Sequence, residues 1–288
     1  MHITSLGHSV GTDTDGITAE IVHFETLADL IAAPEGAADG KIVYISNRME
    51  RAHDGSGYGP AVAARGAGAV EAAKKGALAV LIRSIGTDSH RVPHTGMMRY
   101  ADGVTKIPAA ALSNPDADVL SSQLRRGQPV QFHLNMQNEF HGMVESANVI
   151  GEVTGSERPD EVIILGSHLD SWDLGTGAID DGAGVAITMA AGEMIANMSE
   201  RPARSIRVIA FGAEEIGLLG GFQYANAHVD DINNHIIGAE SDFGGDRIYA
   251  FAVNVRKEAL PAVAQIAKVL KPLGIDFTGN EAVGGPDI

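Results

Sequence analysis

The chain has 288 residues, with 37 acidic against 21 basic side chains and a formal net charge of -16. That balance excludes a protein that holds nucleic acid or an anionic membrane by charge. Cysteine is absent, which excludes disulfide scaffolds, thiolate metal sites and cysteine nucleophiles together.

In chain order, Ile17–Phe24 (ITAEIVHF) alternates as a strand does, and residues 40–46 (GKIVYIS) form a second apolar run. Residues 61–75 have helical composition despite two glycines, and residues 77–83 (ALAVLIR) read as a strand. Strands are expected at 107–112 and 129–134, with a helix over 116–126 between them. His53, His90, His94 and His133 stand alone here and are expected to be surface or hydrogen-bonded residues. Apolar runs at 161–166 (EVIILG) and 205–211 (SIRVIAF) have the continuity of buried parallel strands. Helices are expected at 181–197, 216–228 and 258–270, and a strand at 235–241. Strand and helix alternate, which predicts an α/β fold: a sheet with helices on both faces. Residues 140–146 are the expected junction between two halves. The acidity is uneven across it: residues 1–140 carry a net of -3 and residues 141–288 a net of -13.

Carboxylates and one imidazole gather where the buried strands of the second half end. The first strand runs into His168-Leu169-Asp170, the second into Glu214-Glu215, and the third into Glu240-Ser241-Asp242. Asp180-Asp181 stands at a helix start between the first two. In a parallel sheet, ligands bind outside the carboxyl ends of the strands. His-x-Asp suits a metal-bound imidazole whose other N–H is held by a carboxylate. One of Asp180 and Asp181 is expected to cap the helix, leaving the other to bridge metals. Adjacent Glu214 and Glu215 repel when desolvated; a cation relieves one, and the other becomes a general base with a raised pKa. One histidine with several carboxylates and no thiolate suits zinc, or Mn²⁺ or Co²⁺ in its place. So many metal-facing side chains suit two ions, which together would activate a water for hydrolysis.

The order His168-x-Asp170, Asp180, Glu214-Glu215, Asp242 resembles the M28 family of co-catalytic zinc peptidases. The phrases at residues 5–12 (SLGHSVGT), 166–173 (GSHLDSWD) and 240–242 (ESD) resemble its carboxypeptidase Q branch. The resemblance implies an aminopeptidase-type mixed sheet carrying an inserted β-rich α+β protease-associated (PA) domain. Residues 1–16 would end the first peptidase segment, 17–140 would be the insertion, and 141–288 the zinc peptidase domain. His168, Asp180, Glu215 and Asp242 would then hold two zinc ions, Asp170 would orient His168, and Glu214 would be the general base. Glu240 competes with Asp242 on chemistry, but the family spacing favours Asp242, and Glu240 is expected to be buried or to stand behind the ligands. The implied reaction is hydrolysis of terminal peptide bonds in dipeptides or short peptides. Implied with it are a possible homodimer, no nucleic-acid or membrane partner, and secretion or periplasmic export. The family's fifth ligand is a histidine beyond a Gly-Gly-x-x-Asp-Ile segment; here Gly284-Gly285-Pro286-Asp287-Ile288 ends the chain, so both ends are expected to continue in a longer protein. A co-catalytic amidohydrolase acting on non-peptide amides, and a binding protein with a vestigial site, are the alternative readings.

Overall fold

The computed structural model describes residues 1–242, 244, 246–282 and 285–288. It divides into two compact units, the first comprising Met1–Val144 with Trp172–Gly175, the second Glu145–Ser171 with Thr176–Ile288.

The first unit contains β1 (Ile3–Ser5), β2 (Ile17–Phe24), α1 (Leu27–Ala32), β3 (Ile42–Ile45), α2 (Tyr58–Lys74), β4 (Ala79–Arg83), β5 (Ala109–Leu112), α3 (Asn114–Leu124) and β6 (Gln131–Leu134). The strands form one sheet in the order β1-β5-β4-β3-β2-β6. β2 to β5 are parallel, and antiparallel β1 and β6 close the edges. Strand alternation sorts the apolar residues by face. Val43, Ile45, Val80 and Ile82 pack under Leu30 of α1 and Ala64, Ala69 and Ala72 of α2. Ile42, Tyr44, Ala79 and Leu81 pack under Ala117 and Leu120 of α3. The small residues of α2 are its packing surface: Ala61, Ala64, Gly68 and Ala72 are all buried. α1 went unread in the sequence because six residues are too few for a period; it is set by a capping box between Thr26 and Asp29.

The second unit contains β7 (Val149–Val153), β8 (Arg158–His168), α4 (Gly182–Ala196), β9 (Arg204–Phe211), α5 (Leu219–Ala227), β10 (His235–Glu240), β11 (Ala250–Ala252), α6 (Leu260–Leu270) and β12 (Asp276–Gly279). Its main sheet has the order β10-β8-β9-β7, with β8, β9 and β10 parallel and β7 antiparallel at the edge. β11 and β12 pair separately. Helices cover both faces of the main sheet. Tyr224 of α5 packs on Val162, Ile164, Ile209 and Phe211, while Thr188 of α4 meets Ser167 at 3.2 Å from the other side. β8 is longer than its apolar run and carries the chain as far as His168. α5 starts later than expected, because Gly217 and Leu218 take positive φ and turn the chain first. Among the described residues no helix is long and apolar enough to cross a membrane.

Candidate metal centre

Because β8, β9 and β10 are parallel neighbours, their carboxyl ends lie along one edge of the sheet. His168 closes β8, Glu214 and Glu215 follow β9, and Asp242 follows β10. The ladder extends past the strands: Leu169 N–H donates to Phe211 O at 2.7 Å, and Ser241 N–H to Gly166 O at 3.0 Å. The edge is therefore a rigid frame for the polar residues on it.

His168 is the centre of the cluster, 1% exposed. Its Nδ1 lies 2.9 Å from the Asp170 backbone carbonyl, and its Nε2 lies 3.1 Å from Asp180 Oδ1 and 3.2 Å from Asp242 Oδ1. With an ion bound at Nε2, an Nδ1–H donated to that carbonyl would fix the tautomer that leaves the Nε2 lone pair for the metal. The Asp170 carboxylate itself stands 3.7 Å from Nδ1. Its oxygens accept the N–H groups of Glu214 at 2.9 Å and Glu215 at 3.1 Å. Asp170 thus ties the end of β8 to the turn after β9; burial pushes its carboxyl up, but His168 first and then these backbone N–H groups outweigh burial and hold it below the usual range.

Asp180 and Asp181 divide their tasks, and the peptide between them is cis. Asp181 is 2% exposed and is the N-cap of α4. One of its oxygens accepts Gly184 N–H at 3.0 Å and the other accepts His168 N–H at 2.9 Å. Ligand atoms of His168, Asp181 and Asp242 fall within 4.8 Å of one another. Both Asp181 oxygens are nevertheless committed to backbone donors, whereas Asp180 faces Nε2 with a half-exposed side chain. Asp180 therefore has the less committed carboxylate of the two. Gly184 is required for this packing, since a Cβ there would overlap Ser241 O and the Asp181 carboxylate.

Glu214 and Glu215 are half-buried. Burial pushes the Glu214 carboxyl up to about 8; the charge of His168 opposes that, and the charges of Glu215, Asp242 and Asp287 reinforce it. At His168, burial alone would lower the imidazole, but Asp170, Asp180, Asp242 and Glu214 outweigh it and hold it far above its ordinary value. The edge therefore carries an excess of negative charge around one imidazole. A donor set of one imidazole nitrogen and several carboxylate oxygens suits zinc or a similar divalent ion.

Two further carboxylates adjoin the cluster. Glu240 ends β10, and its Oε2 accepts Asp287 N–H at 3.0 Å. Asp287 Oδ1 accepts Gly221 N–H at 3.2 Å. Burial pushes Glu240 up to about 7, and raises Asp287 as well. Only proximity reveals Asp287; its Gly-Gly-Pro-Asp-Ile context begins at Gly284, which lies outside the described residues. His228 and His235 belong elsewhere. His235 starts β10, at the opposite end from Asp242, where it meets Tyr224 Oη at 2.8 Å; His228 pairs with Asp231 at 3.0 Å.

Residues 148–281 match the model of Peptidase family M28. The chain is similar to carboxypeptidase Q of Homo sapiens, 38% identical over 95% of this chain and 56% of that protein. It is also similar to carboxypeptidase Q of Xenopus laevis, 37% identical over 98% of this chain and 59% of that protein. The chain thus spans under two thirds of these relatives. A crystal structure of a peptidase M28 precursor from Shewanella amazonensis superposes with a TM-score of 0.97 at 50% identity, covering 100% of this chain and 65% of that one. BSAP, a zinc aminopeptidase from Bacillus subtilis, shares the fold, with a TM-score of 0.62 at 22% identity over 96% of this chain and 68% of that one.

Proposed function

Residues 148–281 are a peptidase family M28 domain, and from that premise we propose that the protein is a metal-dependent exopeptidase acting on dipeptides or short peptides. The observation that carries this is the meeting of His168, Asp180 and Asp242 within about 3.2 Å of one imidazole nitrogen, beside a half-buried Glu214. His168, Asp180, Glu215 and Asp242 are the residues that would hold two zinc ions. Bound there, such ions supply Lewis-acid polarisation of a carbonyl and a nucleophilic water at neutral pH.

The chain's own groups do the rest. Asp170 holds the Glu214 N–H, which fixes where that side chain begins. Its backbone carbonyl fixes the His168 tautomer. Glu214 takes a proton from the attacking water and hands it to the leaving amine. Asp181 holds the end of β8 against α4 and is a positioning residue. The reading extends to residues 17–140 as a PA-type insertion and to export from the cytoplasm, both on the family resemblance.

The test is Glu214→Gln in the native full-length protein, scored on a dipeptide panel alongside bound zinc. Turnover should fall by roughly 10²–10⁴-fold, the worth of a general base, with zinc content retained. Near-normal turnover in the variant would overturn the assignment.

A further inference from the structure

The first unit has a ligand-sized cavity of its own. β3, β4 and β5 run parallel and end side by side. Outside those ends lies a cavity of about 510 Å³, lined by Arg48, Arg51, Arg83, Asp88, Asn114 and Asp118 among others. This is the position at which open parallel sheets bind ligands.

Arg83, the last residue of β4, is only 4% exposed. Its Nη1 donates to Asn114 O at 3.3 Å and to Asn114 Oδ1 at 3.2 Å, and its Nη2 donates to Asp118. Its Nε is buried without a hydrogen-bond partner among the described residues. Arg48 donates to the same Asp118 oxygen, so one carboxylate serves two guanidinium groups. The lining holds three arginines against two aspartates, a local positive excess in a chain of net charge -16. A guanidinium cannot shed its proton, and a buried donor left unmatched is costly. The planar fork of arginine matches carboxylate and phosphate groups, so an oxyanion in the cavity would meet a lining of complementary charge.

We propose that this cavity binds a small oxyanion, a carboxylate or a phosphate group, on Arg48, Arg51 and Arg83. The site is independent of the metal centre and of the reaction assigned to it. Asp118 shows how a carboxylate engages the Arg48 and Arg83 side chains, and the exposed Arg51 adds a further cation at the mouth.

The experiment is calorimetric titration of metal-free protein with glutarate and, separately, with inorganic phosphate, at constant ionic strength with chloride as the control. Metal-free protein keeps the anions from binding through a metal. Saturable binding of either anion is expected, weakened at least about tenfold in an R48A/R51A variant whose unfolding curve matches wild type. Both substitutions are at exposed positions, so folding is retained while the site loses two of its three cations. Tighter binding of glutarate identifies a carboxylate-bearing ligand, and tighter binding of phosphate a phosphate ester. Absence of saturable binding of both anions, or binding undiminished in the folded double variant, would overturn the proposal.

Discussion

At the scale of single residues, the buried carboxylates of this protein are defined by which N–H groups they accept. Asp170 and Asp181 each accept two backbone donors and so hold the loops of the metal edge in place. Asp116 does similar work in the first unit: it accepts His2 N–H at 2.7 Å and Ser113 Oγ–H at 2.9 Å, with Arg91 nearby. Burial pushes its carboxyl up, but these partners outweigh burial and leave it below the ordinary 3.8. A carboxyl depressed in the folded state stabilises above its unfolded value and loses that contribution as pH falls through the folded value. Denaturant unfolding should therefore show stability dropping below about pH 4, and Asp116→Asn should flatten that drop while lowering stability at pH 7. A variant with the wild-type acid profile would remove Asp116 from the account. The places of His168, Glu214, Glu215 and Asp242 at strand ends, and of Asp180 at a helix start, were readable. The bond between Asp287 and Glu240 was not, because it joins residues 47 positions apart, and no local period encodes such a contact.

At the scale of elements, continuous apolar runs located β4, β8 and β9, since strands buried on both faces need apolar residues throughout. The short β7, β11 and β12 escaped notice: β7 and β12 hold glycine and polar side chains, and β11 is only three residues long. The junction of α4 with β10 rests on an atom the sequence does not display, the missing Cβ of Gly184. Gly184→Ala would force α4 away from Ser241 and from its own cap. The expected result is a loss of zinc binding together with destabilisation of about 1–3 kcal/mol, the usual cost of overpacking, measured by metal titration and urea unfolding. Retained zinc affinity at wild-type stability would show that the helix can shift freely. β10 also explains why His228 and His235 are not ligands. Six residues at about 3.3 Å each place His235 roughly 20 Å from the metal edge.

At the scale of the molecule, each unit has its own core, but the two differ in depth. The first has a cluster on each face of its sheet, while the described second unit has one of five residues, Val162, Ile164, Ile209, Phe211 and Tyr224. The second unit also carries the converging carboxylates, whose mutual repulsion opposes its folding. A bound divalent ion should accordingly stabilise that unit selectively. At a metal concentration 1,000 times the dissociation constant the gain is about 4 kcal/mol. Calorimetry with and without a chelator should show one transition moving and the other fixed; two unmoved transitions would mean that no metal binds the folded protein. The excess acidity of the second half, legible as a bare count, marks this dependence as much as it marks a solvated surface.

The clamp formed by Asp170 has a consequence of another kind. The amides of Glu214 and Glu215 sit in a turn, where deuterium from solvent ordinarily enters within moments of local opening. Closed on a carboxylate fixed to the end of β8, they can exchange only when the turn and the strand end part company. Their exchange rates gauge the integrity of the reacting edge, readable without substrate, without metal and without turnover.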